Sequence, residues 1–89
     1  MTEKEKNELV DEIISTFDNG AKEYTLYNKS NLYKLRKKGL KKYNEDIDKV
    51  IELLKKKVGD KKVTTQATRE YDIDSGEYSD YYIGIIYVE

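Results

Sequence analysis

The side chains best suited to chemistry in this chain are carboxylates and phenols, and they gather near its C-terminal end. Glu70, Asp72, Asp74, Glu77 and Asp80 lie close together, with Tyr78 and Tyr82 beside them. Ionised carboxylates only accept hydrogen bonds, and they attract cations. Tyrosine adds a large amphipathic ring that anchors interfaces well. Carboxylates spaced along a strand can imitate the charges of a phosphate backbone. The expected chemistry is therefore recognition of a protein with a basic groove, with these seven residues as the binding set.

Catalysis is not expected. The chain has no His and no Cys, which excludes Ser-His-Asp triads, Cys-His dyads and zinc sites built on those ligands. No Gly-rich phosphate loop occurs. The run Asp72-Ile73-Asp74-Ser75-Gly76 opens like a calcium loop. An EF-hand, however, places Gly sixth and Glu twelfth, whereas here Gly76 falls fifth and Ile83 twelfth. No metal and no cofactor are expected.

A second group is basic. Lys34, Arg36, Lys37, Lys38, Lys41 and Lys42 cluster, and Lys55 and Lys56 follow further on. Ammonium groups neutralise phosphates and release counterions, so DNA or RNA binding by these residues is the alternative expectation. Base reading leans on Arg, Asn and Gln, and Arg36 is the only Arg of this set. The net charge of −1 hides the segregation. Residues 1–28 hold three Lys against seven acids, residues 29–69 hold 14 Lys and Arg against five acids, and residues 70–89 hold six acids and no base. Such blocks inform about partners more than about fold.

The elements that must position these groups can be read from spacing. At 89 residues the chain is expected to form one domain, 1–89. Thr2 and Glu5 form a capping-box pattern, and Leu9, Val10, Ile13, Ile14 and Phe17 follow at helical spacing. A first helix is expected over 3–18, ended by Gly20. Residues 23–27 alternate as a short edge strand. Ser30 is expected to cap a second helix through Lys38, with Leu32 and Leu35 inward. Asn44 is expected to cap a third helix to about Lys57, with Ile47, Val50, Ile51, Leu54 and Val58 buried.

Residues 62–88 read as a β-hairpin, because Val, Thr, Tyr and Ile dominate both arms. A three-residue loop, Asp74-Ser75-Gly76, suits a type I turn followed by a Gly bulge. That register pairs Ile73 with Glu77, Tyr71 with Ser79, Ala67 with Ile83 and Val63 with Tyr87. It puts Tyr81, Ile83, Ile85 and Tyr87 on the core face. Glu70, Asp80 and Tyr82 fall on the outer face, with Glu70 opposite Asp80. Like charges directly opposite destabilise a strand pair. Ile86 and Val88 join Tyr82 on that outer face, more apolar than solvent contact favours. A cover from the first helix, a partner, or a homodimer through the sheet would account for them.

The expected fold is α+β: three helices with a small antiparallel sheet, in the order α-β-α-α-β-β. That order resembles the winged-helix topology, in which the third helix is the reader and the hairpin the wing. In size, lack of Cys and acidic face the chain also resembles small phage-borne inhibitors of host nucleases, including anti-CRISPR proteins. That resemblance implies an inhibitor or adaptor of a host nucleic-acid-handling protein. No apolar run reaches the roughly 20 residues of a membrane span, and a cytoplasmic location is the default expectation.

Overall fold

A computed structural model describes residues 1–89. Its elements are α1 (Glu3–Asp18), β1 (Tyr24–Thr25), α2 (Ser30–Lys38), α3 (Leu40–Val58), β2 (Val63–Thr68), β3 (Tyr71–Asp72), β4 (Glu77–Tyr78) and β5 (Tyr82–Val88). The α+β class and the element order are those expected, with one addition. The hairpin is divided into a part that joins the sheet, β2 and β5, and a separate two-stranded ribbon, β3–β4.

Local chemistry accounts for the helices. The Thr2 hydroxyl accepts from the Glu5 N–H at 3.1 Å, and the Glu5 carboxylate accepts from the Thr2 N–H at 2.9 Å. This satisfies two of the orphan donors of a helix start. Gly20, at φ 96, follows the end of α1. The two expected N-caps are not where the helices start. Lys29 precedes α2 with no side-chain cap, and Gly39 alone separates α2 from α3. Asn44 therefore lies inside α3. Its side chain instead clamps β5, accepting from the Ile83 N–H at 3.1 Å and donating to the Tyr81 carbonyl at 3.4 Å.

The sheet is antiparallel, in the order β1-β5-β2. Its core face lies on α1 and α3. Leu9, Val10 and Ile13 from α1 meet Tyr43, Ile47, Val50, Ile51 and Leu54 from α3, with Leu32, Tyr24, Leu26, Tyr82 and Ile86 completing the core. Burial of each large aliphatic residue contributes about 1.5–3 kcal/mol.

The inner face of β5 is the reverse of the one expected. Tyr82, Gly84 and Ile86 are buried, whereas Ile83, Ile85 and Tyr87 are only half-buried. The register does not account for it, because Ala67 pairs with Ile83 as expected and burial alternates without a break from Tyr82 to Ile86; both faces of β5 are apolar, and packing on α3 selects the even one. The pairing departs from expectation at two other places. The ribbon turn has four residues between Asp72 and Glu77, not three, and the Gly76 N–H closes it on the Asp72 carbonyl at 2.8 Å. Gly84 is a bulge: Gln66 pairs with Ile85, but Ala67 pairs with Ile83. The apolar excess assigned to the outer face, Tyr82 and Ile86, is thus the core face itself. No helix of the chain is long and apolar enough to cross a membrane.

Candidate protein-binding ribbon and cleft

The ribbon is rooted on α2 through Arg36. The apolar stripe of α2 runs through Leu32 and reaches Arg36 one turn later, so the helix that buries the first also buries the second. The Arg36 side chain is 3% exposed. Its Nη2 donates to the Glu70 carboxylate at 3.2 Å and to the Tyr27 carbonyl at 3.2 Å. Its Nε and Nη1 have no hydrogen-bond partner. Three aromatic rings surround the guanidinium, with centroids 4.7 Å (Tyr82), 5.6 Å (Tyr43) and 5.7 Å (Tyr33) away. The π faces offset part of the cost of the unpaired N–H groups.

Glu70 does not oppose Asp80. It lies opposite Ser79: the Ser79 N–H donates to the Glu70 carbonyl at 2.8 Å, and the Glu70 N–H donates to the Ser79 hydroxyl at 3.0 Å. The expected like-charge conflict is absent. Glu70 is instead the counter-ion of Arg36, and its Oε1 also accepts from the Tyr82 hydroxyl at 3.0 Å. Burial pushes the Tyr82 phenol up to about 12, and the hydrogen bond to Glu70 pushes the same way. Burial likewise raises Tyr43 to about 12, opposed by the neighbouring Arg36 charge. The Tyr43 hydroxyl donates to the Ile83 carbonyl at 2.7 Å, and its ring meets Tyr82 edge-on at 5.7 Å.

Two of the expected contact residues are therefore internal. Tyr82 belongs to the core, and Arg36 cannot reach a nucleic acid. Both have a legible signal, since each falls on an apolar periodicity once the elements are placed correctly. The remaining members of the acidic set stay outside. Asp72, Asp74, Glu77, Tyr78 and Asp80 are all exposed, and none of the four carboxylates makes an ion pair. Tyr71 and Ile73, absent from the expected set, are exposed beside them, and Ile73 is 86% exposed at the ribbon tip. Tyr71 and Tyr78 face each other across the ribbon with ring centroids 5.0 Å apart. The Arg69 guanidinium covers Tyr78 at 4.1 Å and Tyr81 at 5.1 Å.

Between ribbon and helix lies an open cleft of about 600 Å³. Tyr33 and Lys37 of α2 form one wall, and Tyr71, Asp72, Glu77 and Tyr78 form the other, with Glu70 at the root. The two charge blocks of the sequence thus meet here, through Arg36–Glu70 and through Lys37 on the cleft wall. Lys34, Lys37, Lys38, Lys41, Lys42, Lys55 and Lys56 are all exposed. Of these only Lys42 is ion-paired, to Asp46 at 3.3 Å. The exposed surface of α3 is mixed, because Glu45, Asp48 and Glu52 accompany its lysines. No group of three or more His, Cys, Asp or Glu is placed to hold a metal ion.

The fold and ribbon define a small α+β domain with a projecting acidic, tyrosine-bearing arm. No family model matches the chain, and no curated protein or solved structure matches it either.

Proposed function

We propose that this chain is a non-enzymatic binding protein. Its β3–β4 ribbon engages the basic surface of a nucleic-acid-handling protein, as an inhibitor or adaptor. One observation carries the reading: the ribbon makes no ladder with the sheet, yet it holds Tyr71, Ile73 and Tyr78 exposed among unpaired carboxylates. An isolated two-stranded hairpin is marginal in water, and these large side chains stay more than half exposed in the folded chain. Exposed aromatic and aliphatic groups rimmed by charge suit a partner interface. The acidic rim would steer encounter with a positive surface and reject other partners.

The test is retention of proteins from a cell lysate on immobilised wild type, compared with Asp72→Lys/Asp74→Lys/Glu77→Lys. The expected partner is retained only by the wild type and is released by added duplex DNA, which competes for the same basic surface. An identical set on both matrices, or a partner indifferent to DNA, would sink the reading.

A second reading is favoured by the exposed lysines of α2. Lys34, Lys37 and Lys38 would contact phosphates without reading bases. A gel shift at low salt with mixed DNA and RNA tests it, and no shift at micromolar protein removes it.

A further inference from the structure

We infer that the cleft between α2 and the ribbon is a receptor for one arginine side chain of the partner. This rests on the reading of the ribbon as the binding surface and names the chemistry of its guest.

The walls supply what a guanidinium requires. Aromatic side chains line it: Tyr33 on the helix and Tyr71 and Tyr78 on the ribbon, with Arg69 already over one of these rings, Tyr78. Acceptors come from three carboxylates with free oxygens. Glu70 uses only Oε1, for Arg36 and Tyr82. Asp72 uses only Oδ1, for the Asp74 N–H at 2.9 Å. The Glu77 carboxylate accepts no hydrogen bond and forms no ion pair. The one cation in the lining is Lys37, whose ammonium lies 5.3 Å from the Tyr33 ring centroid. With Glu70 paired to Arg36, Asp72 and Glu77 against Lys37 leave the cleft net negative, and its volume lies within the usual range for pockets that take small ligands.

The same molecule already seats one guanidinium in this manner and lays a second on tyrosine rings alone. Arg36 lies among Tyr33, Tyr43 and Tyr82 with Glu70 as its anion. Arg69 lies on Tyr78 and Tyr81. A planar guanidinium can stack on an aromatic ring while its edge donates in plane to a carboxylate, which an ammonium cannot do. This geometry favours arginine over lysine.

The experiment is an NMR titration of the full chain with the acetylated, amidated tripeptide Gly-Arg-Gly. Parallel titrations use Gly-Lys-Gly and the uncharged isostere Gly-citrulline-Gly. The expected result is saturable shift change at Tyr33, Lys37, Tyr71, Glu77 and Tyr78 with the arginine peptide, weaker change with lysine and none with citrulline. Asp72→Asn/Glu77→Gln, both at exposed positions, should weaken the arginine peptide about tenfold. Asp74→Asn/Asp80→Asn, outside the cleft, should leave it unchanged. Shifts that spread over every acidic surface, or equal binding of the lysine or citrulline peptide, would overturn the assignment. A partner retained by the ribbon but indifferent to Asp72→Asn/Glu77→Gln would overturn the cleft and leave the ribbon reading standing. Arginine-peptide binding without any retained protein would do the reverse.

Discussion

Arg36 Nη2 and Glu70 Oε1 lie 3.2 Å apart across a separation of 34 residues, and this contact ties the ribbon to α2. The two partners differ in environment: the Arg36 side chain is 3% exposed and that of Glu70 is 40% exposed. The guanidinium therefore carries most of the desolvation cost, and the carboxylate is partly screened by water. The pair fixes the root of a ribbon that has little other packing. It also aligns the cleft, since Glu70 is both the ion-pair partner and a lining residue.

Glu70→Gln should leave the buried guanidinium with only a neutral partner. The expected loss is about 1–3 kcal/mol, below that for a fully buried pair because Glu70 is partly solvated. The double variant Arg36→Met/Glu70→Gln removes the stranded charge and should regain part of that loss. Urea unfolding with an unchanged slope reads both values. A double variant less stable than Glu70→Gln would show that ring packing on Arg36 outweighs its charge.

Alkaline pH should act on the same cluster. Tyr82 and Tyr43 have folded-state values raised to about 12, first of all by burial, against about 10 in an unfolded chain. A raised value favours the neutral phenol in the fold. Its stabilising contribution is complete below pH 10 and is lost as pH rises towards 12. Unfolding followed by circular dichroism should therefore set in within that window. Tyr82→Phe should be less stable at neutral pH, having lost the bond to Glu70, but should show a shallower alkaline decline. An alkaline limb identical to wild type would contradict the link.

The bulge at Gly84 offers a steric test. A Cβ added there would lie 2.5 Å from Thr68 Cγ2 and 3.4 Å from Thr68 Cβ. Gly84→Ala should cost about 1–3 kcal/mol through overpacking. Thr68→Ala removes the nearer atom and should rescue much of that cost in the double variant. Thermal unfolding of the four proteins gives the coupling, and strict additivity would place the strain elsewhere.

The inner face of β5 marks how far the sequence can be read. The helices were legible because caps and apolar spacing are local: Thr2 with Glu5, and Leu9 through Ile13. The sequence locates the turn at Gly76 but not its length, because three- and four-residue loops share the same residue types. An isolated Gly within a strand does hint at a bulge. Here it leaves the alternation of β5 unbroken, with Tyr82, Gly84 and Ile86 on one face; Ile83 and Ile85 make the other face equally apolar, so spacing alone does not rank the two. Arg36 departs from expectation for a different reason. A lysine-rich helix draws attention to charge, while the position of Arg36 one turn after Leu32 points inward. Glu70 could not be assigned without Arg36, since their contact depends on tertiary packing alone.

Acid should weaken a second buried ion pair. Asp46 on α3 has a side chain only 1% exposed. It accepts from the Met1 ammonium at 3.0 Å and from Lys42 at 3.3 Å. Burial alone would raise its carboxyl, but the bonds to Met1 and Lys42 outweigh it and hold the value below the usual carboxylate range. A lowered value favours the ionised form in the fold. Its contribution is present above about pH 4, where the unfolded carboxyl ionises, and disappears as pH falls through the lower folded value. Asp46→Asn strands the Met1 ammonium at the start of α1 and should cost about 3 kcal/mol at neutral pH. The loss should shrink steadily as the medium is acidified, because the wild type then surrenders the same interaction. Urea midpoints measured from pH 7 down to pH 2 check this. A difference between the two proteins that stays constant over that range would mean that Asp46 acts through its shape and not through its charge.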